Sequence, residues 1–204
     1  VFGIDNVVAA NAKAYADDLV VPEVGADNKE TVKNIKDAVD AVNKAVVVEA
    51  QRVAINKAET VAEVKTALDA LANVEADEVD EYLTVRSGDR EFVAAYVLKE
   101  RPDNATGYAT IDDVKNAIGD DTDGAIKALA DALDGINNLE YLSTPAEVVS
   151  ALNDILDEDF EALNTIEKQD LAEEFHDKLT FNDAGDEVEP AFRSLAEVKA
   201  LLWN

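Results

Sequence analysis

His176, in "EEFHDKL", is the only histidine of the chain and the only side chain whose unperturbed titration falls near neutral pH. A general base or nucleophile relay needs a second group to orient it, and the sequence offers no cysteine and no other histidine. His176 therefore reads as a half-packed helix side chain with no assigned role. Carboxylates are abundant, in "EADEVDE", "GDDTDG", "DILDEDFEA" and "NDAGDEVE". A glycosidase needs two of them opposed across roughly 5 to 10 Å of cleft, and abundance does not specify that geometry. No enzyme is expected.

Calcium chemistry asks for oxygen-rich loops, and two stretches supply them. The first holds Asp120, Asp121 and Asp123, the second Asp183, Asp186 and Glu187. Aligning Gly124 with the obligatory glycine of an EF-hand loop leaves Gly119 and Ala130 where two ligands must stand, so the first loop is not an EF-hand. Acids ahead of a helix also complement its dipole and cap its amides. Both loops remain weak candidates for a divalent cation; no cofactor is expected beyond calcium, which they could recruit. "NAT" at Asn104 to Thr106 is formally a glycosylation sequon, but so short a pattern arises often by chance.

The chain of 204 residues carries 45 acidic and 18 basic side chains, a formal charge of −27. Such a polyanion is repelled by phosphate backbones and anionic lipid, which argues against nucleic-acid and membrane partners. No apolar run approaches the roughly 20 residues of a membrane span. The amino-terminal stretch lacks the basic start of a signal peptide, and the absence of methionine points to a processed chain or a segment of a longer one. Zero cysteine excludes a disulfide framework and is permissive for export.

Apolar residues recur at helical spacing nearly throughout, which predicts an all-α chain. A first helix is expected over "DNVVAANAKAYADDLV", ending before Pro22 and Gly25. A long helix follows from Asn28 to about Lys57. Its stripe of Val32, Ile35, Val39, Val42, Val46, Ala50 and Val53 must be covered by the first helix and by helices after Thr60. Four Thr or Ser residues precede an acid by three positions, the pattern of a capping box: Thr60 with Glu63, Thr110 with Asp113, Thr144 with Glu147, and Ser194 with Glu197. Further helices are expected over roughly 76–84, 88–100, 122–141, 157–164 and 166–179.

Two of the capped segments nearly repeat. "TVAEVKTALD" from Thr60 returns as "TPAEVVSALN" from Thr144, and "YATIDDVKNAI" from Tyr108 returns as "FRSLAEVKALL" from Phe192, each 84 residues later. Between them "VDEYLTV" answers "FEALNTI" and "FVAAYVL" answers "LAEEFHD". The expected organisation is a helical hairpin over 1–53, a first unit over 54–121, a linker helix over 122–137 and a second unit over 138–204, in series and elongated. A unit of this size with short helices buries its apolar faces best by stacking on a neighbour.

The order "INKAETVAEVKTALD", "EYL", "FVAAYVLKERP", "GYATIDDVKNAI" resembles the α-helical repeats of surface-layer and other cell-wall-associated proteins of Bacillus-like bacteria. The second copy departs from it, carrying "FNDAGDEVEPAFRS" in place of the "RP…GYAT" turn. The resemblance implies a secreted, structural, non-enzymatic segment at the surface or wall of a Gram-positive cell. Its partners would be copies of itself or neighbouring repeats, and it would space or tile through protein contacts. The competing expectation is a binding module, either an adhesin stalk or an intracellular helical scaffold.

Overall fold

A computed structural model describes residues 7–18, 28–75, 79–103, 106–119 and 124–204, with side chains left aside for 28–31. The protein is all-α. The described residues form one 3-10 turn (Ala9–Asn11) and eleven α-helices, with no strand beyond an isolated antiparallel bridge between Phe181 and Val188.

The amino-terminal helix is shorter than its pattern suggested: Val7 and Val8 are not helical, and the α-helix proper, α1, covers Ala12–Asp18. Helix α2 spans Asn28–Lys57, the expected bounds, and is about 45 Å long. Its apolar stripe is not buried as one line. Val39 and Val42 are covered where α1 packs; farther on it is Val48 and Ile55 that are buried, while Ala50 is exposed. The helix changes partner half-way, from α1 to α3 (Val61–Val74), and the buried face turns with it.

Helix α3 pairs with α2 on one side and with α5 (Arg90–Lys99) on the other. Val64, Leu68 and Leu71, at spacings of four and three, are at most 1% exposed. The short α4 covers Asp80–Thr84, the end of the expected 76–84 helix; residues 76–78 lie outside the described part. Helix α5 is packed by α3, α6 (Ile111–Ile118) and α7 (Ala125–Asn137), so that Phe92, Val93, Ala94 and Val97 are all buried and only its ends, at Glu91 and Lys99, are charged and exposed. Helix α7 is shorter than the expected 122–141 at both ends, and residues 120–123 lie outside the described part.

The second half runs α8 (Pro145–Asn153), α9 (Glu158–Glu161), α10 (Thr165–Lys178) and α11 (Leu195–Leu202). Helix α10 buries Ala172 and Phe175 against α8 and α11 and leaves Asp170, Glu173, Glu174 and Asp177 exposed. It has a covered side and an acidic one, unlike α5. One continuous core, from Val48 to Leu202, joins the two halves. Truncating any of its fully buried leucines (Leu68, Leu71, Leu152) to alanine costs about 2–5 kcal/mol by the usual sum of lost transfer energy and cavity.

Candidate functional site

The polar side chains of this protein are concentrated where helix ends meet turns. Three predicted capping boxes form as reciprocal pairs: the Thr60, Thr110 and Thr144 hydroxyls accept from the amides of Glu63, Asp113 and Glu147, whose carboxylates accept from the cap amides in return. Glu63 Oε2 also accepts from Glu59 N, at 2.8 Å. These bonds stabilise the ionised form and hold the Glu63, Asp113 and Glu147 carboxyls below their ordinary range. The fourth box is incomplete. Ser194 caps the amide of Glu197, but Glu197 Oε2 takes the amide of Arg193 at 2.7 Å instead of that of Ser194. A box that the sequence reading missed is built on Asn164, whose Oδ1 accepts from Ile166 N and Glu167 N.

Two asparagines make a second, longer-range kind of bond. Asn56, at the end of α2, donates to Tyr108 O (2.9 Å) and accepts from Tyr108 N (2.9 Å). Asn137, at the end of α7, does the same to Phe192, at 2.9 Å to its carbonyl and 2.7 Å from its amide. In both places a carboxamide stands in for a paired strand. It fixes the aromatic residue that precedes the last capped helix of its half. Nothing in the local sequence announces either bond, since the partners lie 52 and 55 residues apart.

The end of α2 is further closed by Arg101. Its Nη1 donates to three carbonyls, those of Ile55 (3.0 Å), Asn56 (3.1 Å) and Ala58 (2.7 Å), a favourable use of a cation at a helix carboxyl terminus. Arg52, one turn earlier, donates to Tyr108 O through Nη1 and to Glu49 through Nε (2.8 Å) and Nη2 (2.6 Å). Burial pushes the Tyr108 hydroxyl up to about 12; it donates to Val97 O at 2.8 Å.

Charged groups at the edge of the shared core tie helices together, and one of them, Asp89, joins the two halves. Asp89, 3% exposed, leaves its own helix uncapped and accepts from Leu195 N at 2.8 Å. Asp157 caps α9 through Phe160 N (3.0 Å) and meets Lys199 Nζ at 3.2 Å. Glu75, 6% exposed, lies 3.0 Å from Lys44 and 3.4 Å from Lys115, tying the end of α3 to α2 and α6. Asp69 is another node: burial works against its charge, but Lys65, Tyr82 and Arg90 outweigh it and hold the carboxyl low. Burial and the same carboxylate push the Tyr82 hydroxyl far above an ordinary phenol. No buried side-chain nitrogen or oxygen among the described residues lacks a hydrogen-bond partner.

The calcium candidates fare as follows. Asp120, Asp121 and Asp123, like Asn104 of the sequon, lie outside the described residues. Asp183, Asp186 and Glu187 are exposed on a tight loop held by bonds from Asn182 N to Glu187 O and from Asp186 N to Asn182 Oδ1, both 2.9 Å. Among the described residues no three His, Cys, Asp or Glu side chains converge as a metal-ligand set. His176 donates from Nε2 to Glu140 O at 2.9 Å and lies against Phe181, ring centroids 5.3 Å apart, joining α10 to the connection before α8. Among the described residues no helix is long and apolar enough to cross a membrane.

No family model, curated protein or solved structure matches the chain.

Proposed function

We propose that this chain is a non-enzymatic structural segment of a surface-layer-like cell-surface protein, made of two related helical units in series, which spaces or tiles through protein contacts. The observation that carries this reading is the recurrence of one closing device. Each half has a helix whose terminal asparagine clamps an aromatic residue by both backbone groups, Asn56 on Tyr108 and Asn137 on Phe192, just before a capped final helix. Units closed in the same way and sharing one core are what a serial helical array is made of. Asp89, Glu75, Arg101 and the two asparagines hold separate helices and turns to one another, a use that suits a load-carrying or spacing segment.

The charge of −27 opposes close approach of copies, so assembly would wait for cations that screen or bridge the acidic faces; calcium or salt is the permissive factor. Antibody labelling of intact against permeabilised producing cells tests the placement. Labelling of intact cells that brief surface proteolysis removes supports it, and labelling only after permeabilisation refutes it.

A further inference from the structure

A cleft of about 570 Å³ opens between the end of α2, the end of α5 and the turn that follows. In a chain with 45 carboxylates, this cleft is lined by three cations, Arg52, Lys57 and Arg101, against the single acid Asp103. Arg52 is engaged by Glu49 and Tyr108 O. Arg101 is anchored only through Nη1, on the three carbonyls of the α2 terminus. That leaves its Nε and Nη2 protons, the edge of a guanidinium that matches a carboxylate with two parallel hydrogen bonds, without an acceptor among the described residues. Lys57, exposed on the last turn of α2, has no ion-pair partner among the described residues either.

The floor of the cleft is closely packed. Gly107 has φ +64°, and a side chain there would overlap the carboxamide of Asn56, which is itself fixed on Tyr108. The three carbonyls on Nη1 hold the Arg101 guanidinium in place before any ligand arrives, which lowers the ordering cost of binding. Closing the helix consumes one nitrogen of Arg101 and does not explain the unpaired fork or the second cation lining the cleft.

We infer that this cleft is a carboxylate-binding site, in which the Nε and Nη2 edge of Arg101 grips the ligand carboxylate and Lys57 supplies the second charge. The carboxylate can come from a free small molecule or from an acidic side chain of a second copy. The inference stands on the cleft alone, independently of the structural reading above.

The test follows the Arg101 Nε–H resonance and the Gly107 amide by NMR in the full chain, titrated with sodium succinate against sodium chloride of equal ionic strength. A separate dilution series without ligand covers the second source. A saturable shift at both signals with succinate, absent with chloride and weakened at least tenfold in Lys57→Glu, supports a free carboxylate ligand. Shifts of the same signals with protein concentration alone, also lost in Lys57→Glu, support a side chain of a second copy. Lys57 is exposed and has no ion-pair partner among the described residues, so circular dichroism should report an unchanged fold in the variant. Equal shifts with chloride, equal shifts in Lys57→Glu, or no shift in either series would overturn the assignment.

Discussion

The carboxylate of Asp89 accepts a hydrogen bond from the backbone amide of Leu195 at 2.8 Å, across 106 residues of chain. The amide is the first of α11, one of the orphan donors that a helix start must satisfy, and Asp89 satisfies it from the other half of the molecule while leaving its own helix uncapped. Asp89→Ala should cost about 1–3 kcal/mol, because it strands a buried donor rather than merely deleting a bond. Asp89→Asn keeps an acceptor oxygen and should recover most of that loss. Urea unfolding of the three proteins checks the order; equal stability of Ala and wild type would mean that the stitch is dispensable.

The asparagine clamps predict an effect of the same kind in each half. Asn56→Ala and Asn137→Ala each remove one donor and one acceptor, and each should destabilise by about 1–3 kcal/mol. The two sites share no partner in the bonds described, so the double variant should lose close to the sum. A double-variant loss well below the sum, read from urea midpoints, would show that the two clamps act as one device.

Two glycines should respond in opposite directions. Gly107 sits at φ +64° under Asn56, so Gly107→Ala meets both a left-handed backbone penalty and a clash, and should cost more than about 1 kcal/mol. Gly135 lies inside α7 with nothing within 4 Å of an added methyl, so Gly135→Ala should stabilise by about 0.5–1 kcal/mol. Thermal melts of the two variants beside wild type decide both.

Stability should depend on pH in a curve with two limbs. Glu49, Glu63, Asp69, Asp113 and Glu147 have folded pKa values below their ordinary ones, so the stability they contribute is complete above the unfolded value, roughly pH 4, and is lost as pH falls through the folded value. Repulsion among the 45 acids acts the other way and weakens as they begin to protonate. The urea midpoint should rise from pH 7 to about pH 5 and fall below about pH 4, and added sodium chloride should lift the pH 7 limb most. A midpoint that climbs steadily down to pH 3 would show that the capping and Asp69 networks contribute nothing.

What the sequence disclosed follows the range of the interactions. The bounds of α2 and the boxes at Thr60, Thr110 and Thr144 rest on contacts three or four residues apart, and the spacing of side-chain types carries them directly. The Asn164 box escaped notice because its cap is an asparagine followed by Thr165, a residue with a similar preference for helix starts. The α2 stripe named its covering helices, α1 and α3, but not the turn of the buried face between them, which buries Val48 and Ile55 and exposes Ala50. Asp89 and the clamping Asn56 and Asn137 fall within stretches that read simply as helix, with no sign of a distant partner. Their partners are set by how the helices pack, and no local pattern contains that.

The central claim, a structural segment whose assembly is held back by its own charge, is met most directly by sedimentation velocity of the chain at fixed concentration. The series would run in chelator at low salt, then in sodium chloride, then in calcium chloride. The account predicts a single 22.0 kDa species in chelator and larger species once cations are added, reversed when the chelator returns. Assembly of equal extent in chelator at low salt, or a monomer under every condition, would contradict it.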